Sequence, residues 1–432
     1  MFANYADFNN FFKWASYAMM AMDKGKILVL ASTFPRWKND ATPRFVYDLS
    51  DRLASQYGII VLAPHHNRAK KKEIMGKLNV RRFSYFKPES MQRLCYEGGM
   101  IPNMKKSFLA RIQLPLLVIS EFFSAYNIIK KENISMVHAH WILPQGFVAA
   151  ILKKIFGIPL LVTIHGSDLF PLKNSLFKKL QKFVVKNADI ITANTKATRD
   201  ELVGRFPEYS SKVKIIPMGV NPDFFKKLKV KKPAKYSKNK LLLFVGRLSD
   251  QKGLQYLIDA LPEIVRKEPA AKLLIIGDGP FKSELEKKIN ENRIKDYVEF
   301  LGSLPSSEVV KYHNYADIFV LPSLANKTGT EALGLALMEA MSSGCAVVGT
   351  KVGGIPSLIK DGDDGLLVQQ KDSKHLADAI AGLIKNRKKA ETMGKNASKS
   401  IRANYSWDKI SKEFLNIYKN LLRRQNENIA KN

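Results

Sequence analysis

Two glutamates eight residues apart, Glu331 and Glu339, stand where a strand hands over to a helix. The strand run ends at Leu321-Pro322, and a helical pattern opens near Gly334 with Leu335, Leu337, Met338 and Met341 on its apolar face. Free N–H groups and the macrodipole at a helix start attract phosphate, so the backbone from Leu333 through Gly334 to Leu335 is a candidate phosphate cradle. Over a continuous helix eight residues span ~12 Å. That is the reach of a nucleotide sugar from ribose to hexose, and two carboxylates so spaced could grip hydroxyls at both ends of one molecule. Two surface glutamates set favourably against a helix dipole give the same pattern, so the pair alone does not decide.

A second segment, Gly246-Arg247-Leu-Ser-Asp-Gln-Lys252-Gly253, runs from a strand end into a helix with Leu254, Tyr256, Leu257 and Leu261 on its apolar side. It carries Arg247 and Lys252 at the carboxyl edge of a sheet, where two cations neutralise a diphosphate leaving group. In the first half, Thr163-Ile-His165-Gly166-Ser-Asp168 also ends a strand. His165 there can hydrogen-bond a sugar hydroxyl or a phosphate, and Asp168 can orient it or cap the next helix. His138 and His140 share a strand face without a convergent third ligand, so no metal site is expected. Asp361-Gly-Asp363-Asp364-Gly365 has turn composition and reads as a loop. Gly277-Asp278-Gly279-Pro280 is a weak glycine-rich strand exit. Neither Gly-x-Gly-x-x-Gly nor a P-loop follows any strand run, which argues against nicotinamide and P-loop chemistry.

The elements that must position these residues are legible as apolar runs alternating with helical patterns. The strand runs of the first half begin at Lys26, Gly58, Met136, Leu160, Ile190 and Val213; those of the second begin at Leu241, Leu273, Val298, Ile318, Ala346 and Gly365. Near-continuous apolar strands separated by helices mark an α/β protein with parallel sheets covered on both faces. At 432 residues, two domains of roughly 200 residues each are expected. Between the series, Lys226 to Lys240 carries eight lysines and no acid, the composition of a solvated linker. Cys95 and Cys345 lie far apart, which points to a reducing, cytoplasmic setting. No stretch is expected to span a bilayer: the run from Ile112 to Ile129 is interrupted by Gln113, Pro115, Ser120, Glu121, Ser124 and Asn127 and is short of about 20 apolar residues. Met22 reads as the start, with residues 1–21 either an upstream extension or an aromatic-rich interfacial anchor.

Taken together, these residues resemble glycosyltransferase family 4, a retaining family of the GT-B fold, over nearly the whole chain from Lys24 to Leu422. The resemblance is carried by Glu331-x7-Glu339, Gly246-Arg247-x4-Lys252-Gly253, His165-Gly-Ser-Asp168, Pro217-Met-Gly-Val-Asn-Pro and Val352-Gly-Gly-Ile-Pro. It implies two Rossmann-like doubly wound domains facing across a cleft: an extension at 1–23, an acceptor domain at 24–222, the linker at 223–240, a donor domain at 241–405, and a segment at 406–432 whose helix returns to the first domain. It further implies a nucleotide-diphosphate sugar donor, UDP- or GDP-linked, a glycan or lipid-linked acceptor, no metal and no cofactor. Glu339 would hold the ribose with Gly246 and the Leu333–Leu335 backbone nearby, Glu331 the transferred sugar, Arg247 and Lys252 the diphosphate, and His165 would face the sugar. Two departures stand out. Ala332 occupies a position where many members have Gly, and the first strand-to-helix loop, Thr33-Phe-Pro-Arg36-Trp37-Lys-Asn-Asp40-Ala-Thr-Pro43-Arg44-Phe45, lacks the usual Gly-Gly pair, for which Arg36 or Arg44 is the expected substitute. An epimerase or phosphorylase of similar fold is the enzymatic alternative.

The charge balance, 70 Lys+Arg against 39 Asp+Glu for a net +31, serves solubility, an anionic partner or both, and charge alone does not choose. No nucleic-acid module accompanies it, so a specific nucleic acid is not expected. Two basic amphipathic stretches, Lys105 to Leu114 and Phe177 to Lys186, suit an anionic membrane surface and a peripheral place on the inner face of the membrane.

Overall fold

The computed structural model describes residues 25–430 apart from 39, 41, 97, 98, 173, 327 and 328; the extension expected at 1–23 and Thr328 lie outside the described residues. The first sheet comprises β1 (Lys26–Leu30), β2 (Gly58–Pro64), β3 (Lys72–Met75), β4 (Leu78–Phe83), β5 (Ile134–His140), β6 (Leu160–Ile164), β7 (Ile190–Ala193) and β8 (Val213–Ile215). Their order is β3-β4-β2-β1-β5-β6-β7-β8, parallel throughout except for the β3–β4 hairpin. The second comprises β9 (Lys240–Val245), β10 (Ala271–Ile276), β11 (Val298–Gly302), β12 (Ile318–Leu321), β13 (Ala346–Thr350) and β14 (Leu366–Val368), all parallel, in the order β11-β10-β9-β12-β13-β14. Every residue of β6, β12 and β13 is buried, because helices cover both faces of each sheet. The protein is thus two doubly wound α/β domains. In each, the strand order reverses beside the first strand, at β1/β5 and at β9/β12, and loops leaving in opposite directions there open a crevice at the carboxyl edge.

The chain crosses between domains at one place. Val220 N–H donates to Tyr405 O (2.9 Å) and Trp407 N–H to Val220 O (3.1 Å), so the two crossings lie side by side. The helix Trp407–Ile429 then packs on the first domain, with Phe414 and Tyr418 fully buried. The Tyr418 hydroxyl lies 2.8 Å from His138 Nδ1, and the Arg52 guanidinium covers Trp407.

The structure adds detail to two expectations. The lysine-rich stretch is not simply solvated: Tyr236 is buried with its hydroxyl on Glu299, and Lys232 Nζ reaches Asp317 (2.5 Å), so the stretch is fastened along the second domain. The interrupted run at Ile112–Ile129 belongs to one 25-residue helix, Phe108–Glu132, which by length and composition is long and apolar enough to cross a membrane. Pro115 does not break it. Proline frees only the carbonyl of Arg111 four residues back, and Arg111 is exposed to water.

That helix lays Leu117, Ala125, Ile128 and Ile129 into the core and carries Gln113 and Glu121 in with them. Glu121 accepts a hydrogen bond from Gln145 Nε2 (3.3 Å) while its Oε1 has no hydrogen-bond partner. Burial pushes its carboxyl up to about 8, against the opposing effect of the Gln145 bond. The unfolded chain therefore releases this proton near its ordinary value of 4.5 and the folded chain only near 8. Between those limits the folded state binds more protons, so this group's contribution falls as pH rises and is gone above about 8. Glu121→Gln removes that dependence. Denaturant unfolding is expected to find the variant near wild type at pH 5 and more stable by on the order of a few kcal/mol at pH 8; equal stabilities at pH 8 would mean the carboxyl is not held protonated.

Candidate active site

In the second domain two strand exits meet at the switch point. After β9, residues Asp250–Lys252 form one tight turn and Gly253, at φ 68°, caps the helix Leu254–Lys267. A Cβ on Gly253 would lie 1.8 Å from Pro322 O, so only glycine lets this loop rest on the exit of β12. The contact brings Lys252 Nζ to 2.6 Å from Glu331 Oε2, which also accepts from Ser323 Oγ at 2.9 Å. Burial alone would raise the Glu331 carboxyl. The Lys252 charge, with hydrogen bonds from Lys252, Ser323 and the Gly334 N–H, overrides it and holds Glu331 ionised, below its ordinary range. Arg247 sits half-buried just after Gly246, and burial lowers its pKa.

The helix Leu335–Ser342 begins only after a left-handed Gly334, so the interval from Glu331 to Glu339 is not wholly helical and the ~12 Å expectation does not hold for it. The Gly334 N–H, expected to face phosphate, is given to Glu331. The first-turn amides of Leu335 and Ala336 open the helix instead. Leu333 is buried. Glu339 is half-buried, its Oε2 3.9 Å from Nε2 of the fully buried His313. A Cβ on Gly353 would lie 1.8 Å from Glu331 O, and Gly354 N–H donates to that oxygen at 2.9 Å. The glycine pair thus sets the backbone that presents Glu331.

From the first domain, the exit of β6 presents His165. Its Nε2 lies 3.0 Å from His140 Nδ1 with the rings stacked at 16°, and the Phe45 and Trp141 rings are each 4.8 Å away. Burial pushes His165 down to about 3, so it is a neutral hydrogen-bonding group at physiological pH. Asp168 holds backbone rather than the imidazole: it accepts from His165 N–H (3.1 Å) and Ile142 N–H (2.5 Å), locking the exits of β5 and β6 together. Arg205 fixes the turn beyond Asp168 by donating to Leu169 O and Leu172 O. The two domains meet here. A Cβ on Gly166 would lie 2.9 Å from the Ala332 methyl, and one on Gly354 2.6 Å from Thr195 Cγ2. His165 and Glu331 are therefore carried on segments that face each other across the cleft.

Arg36 and Arg44 do not stand in simply for a glycine pair. Arg36 is bidentate on Asp40 and lies over Trp37. Burial would raise Asp40, yet the Arg36 hydrogen bonds bring it to about 2. Arg44 lies over Tyr47 and pairs with Asp48 at 3.6 Å. His138 is engaged by Tyr418 and Thr163 Oγ1, and no group of three His, Cys, Asp or Glu among the described residues is placed to hold a metal. Sequence reasoning missed His140 as the partner of His165, Ser323 as the partner of Glu331, and Arg205. The His-x-His pattern was a signal for the first; nothing marked the other two.

Known proteins resemble the chain in sequence and in fold. Residues 42–224 match the model of Glycosyltransferase Family 4 and residues 225–400 that of Glycosyl transferases group 1. The N-acetyl-alpha-D-glucosaminyl L-malate synthase of Bacillus anthracis is 30% identical over 69% of this chain and 77% of its own length. Among solved structures, the sucrose-phosphate synthase of Thermosynechococcus elongatus superposes with a TM-score of 0.75 at 22% identity, covering 93% of this chain and 100% of that one. Anabaena HepE in complex with UDP-glucose gives 0.70 at 20% identity, covering 91% and 99%. These structures share the GT-B fold with this chain.

The double grip of Asp168 yields a test. Burial pushes its carboxyl up to about 6, against the backbone N–H groups of Ile142, His165 and Gly166 that favour the charge. Asp168→Asn replaces one acceptor by an NH2 group that opposes an N–H. Denaturant unfolding at pH 7.5 is expected to show a loss of roughly 1–3 kcal/mol. An unchanged midpoint would mean the two strand exits are held otherwise.

Proposed function

The chain belongs to glycosyltransferase family 4, and on that premise we propose that it moves a hexose-type sugar from a nucleotide-diphosphate donor to a glycan or lipid-linked acceptor, with retention and without a metal ion. The observation that carries this reading is the Lys252–Glu331 pair at the switch point of the second sheet, opposite the neutral His165 of the first. A diphosphate laid along the exit of β9 meets Lys252 and Arg247, and the opening turn of the Leu335–Ser342 helix adds N–H groups and a positive dipole end. These groups stabilise the charge that develops as the sugar–phosphate bond breaks. Glu339, one turn into the helix, takes the ribose hydroxyls; Glu331 takes hydroxyls of the transferred sugar; His165 donates or accepts one hydrogen bond from the far side.

Retention follows the family's character. The diphosphate leaves, an oxocarbenium-like centre forms, and the acceptor hydroxyl attacks from the face the diphosphate vacates, passing its proton to the leaving phosphate oxygen. The UDP-glucose bound by the HepE structure supports a UDP-linked donor.

The test is slow donor hydrolysis without an acceptor, screened over UDP-, GDP- and ADP-sugars after exhaustive EDTA treatment. One nucleotide sugar is expected to be cleaved to free sugar and nucleoside diphosphate, with most of the rate surviving chelation because side-chain cations do the work of an ion. Activity abolished by EDTA and restored by magnesium or manganese would contradict the metal-free site. Interconversion of the donor to an epimer, with no release of diphosphate, would establish the epimerase instead.

A further inference from the structure

The helix Phe108–Glu132 covers one face of the first sheet, and its opposite side is unlike the rest of the surface. Phe108, Ile112, Leu116, Ile119 and Phe123 recur at helical spacing and are between 37% and 75% exposed. They form one stripe ~22 Å long. Such a stripe is the kind of patch a monomer rarely leaves bare. Its borders are cationic: Lys105, Lys106 and Arg111 are exposed at one end, Lys130 and Lys131 at the other. The two acids of the helix are turned away, Glu121 into the core and Glu132 onto Lys26 and Arg81. The second basic stretch behaves differently. In the helix Ser175–Asn187, Val184 is fully buried and Phe183 packs on Phe147, so most of its apolar side belongs to the core, and beside its lysines Leu176 is the one large apolar residue well exposed.

We propose that the outer face of Phe108–Glu132 docks on the surface of an anionic phospholipid bilayer. Phe108, Ile112, Leu116, Ile119 and Phe123 enter the interface, and the flanking cations meet lipid phosphates. The helix lies on the bilayer and does not cross it, because its inner face is already packed on the sheet with Gln113 and Glu121 buried. Its position also has a consequence for the cleft. The helix runs from the carboxyl edge, where β4 ends, back to the amino edge, where β5 starts, so its basic amino end lies at the edge that opens on the cleft. Tyr96, just upstream, bonds Pro64 O at the end of β2 and touches Arg36 of the cleft loop. Docking therefore brings the acceptor side of the cleft to the lipid headgroups; this consequence, unlike the docking itself, rests on the sugar-transfer reading.

Flotation of the full chain with phosphatidylglycerol or phosphatidylcholine vesicles at low salt tests the proposal. Binding is expected to the anionic vesicles only. Ile119→Glu with Phe123→Glu, both exposed, should weaken it at least tenfold, and Lys105→Gln, Lys106→Gln and Arg111→Gln together by on the order of a hundredfold. Unchanged unfolding midpoints and donor hydrolysis in both variants keep a loss of binding separate from a loss of fold or of the site. No binding at low salt overturns the proposal. So does binding that survives the Ile119/Phe123 change, which would assign it to charge elsewhere. A concentration-dependent dimer dissolved by that same change, seen by sedimentation, overturns it in favour of a second copy of the chain.

Discussion

A buried carboxylate must have a cationic or hydrogen-bonding partner, and the site depends on how that requirement is met at Glu331. Lys252, Ser323 and the Gly334 amide meet it. Ser323 and Gly334 belong to the same connection after β12 as Glu331, while Lys252 comes from the loop after β9, so the ion pair ties the exit of β9 to that of β12 across the switch point. Removing one partner of such a pair leaves an uncompensated buried charge, which costs far more than a surface ion pair is worth. The glycines at 253 and 353 follow from the same constraint, since a Cβ at either would meet backbone oxygen at 1.8 Å. On the proposed reading Lys252 is also a cation for the donor's diphosphate, and Glu331 is the group that holds that charge in place.

The first domain meets the opposite demand. On the proposed reading it presents a polar group to the sugar without bringing a charge into a site already charged from the other side. Three histidines do this together. Burial pushes His138 to about 3, and His140 also well down, alongside His165. His165 bonds His140, whose ring lies 4.3 Å from that of His138, and His138 bonds Tyr418 of the carboxy-terminal helix, so that helix, which belongs by sequence to the far end of the chain, helps to set the floor beneath His165. Coupling between the domains is then mechanical as well as chemical: the crossings at Val220 and Ser406 lie together, and small residues, Gly166 against Ala332, let the two edges close.

Much of this was legible in the residues because parallel strands buried on both faces are spelled as apolar runs, and their exits are where Arg247, Lys252, His165 and Glu331 stand. The β3–β4 hairpin was not, because Lys72–Met75 alternates exposed and half-buried residues and has no apolar run to find. Nor was the full length of the Phe108–Glu132 helix, because its polar interruptions, Gln113 and Glu121, point inward, the reverse of the usual pattern. The fastening of the lysine-rich stretch turns on Tyr236 and Glu299, 63 residues apart, a pairing that no local window contains. Side-chain partners in general, such as Ser323 for Glu331, appear only when the loops are brought together.

The most direct measurement is a double-mutant cycle on Glu331 and Lys252, read as the affinity for the nucleoside diphosphate by calorimetry. Glu331→Gln keeps the shape and releases the lysine. If the carboxylate and the diphosphate compete for Lys252, the variant binds the diphosphate about tenfold more tightly, ~1.4 kcal/mol, and most of that gain disappears when Lys252 is also replaced by Met. A weaker complex in Glu331→Gln, or a gain of full size without Lys252, would contradict the account.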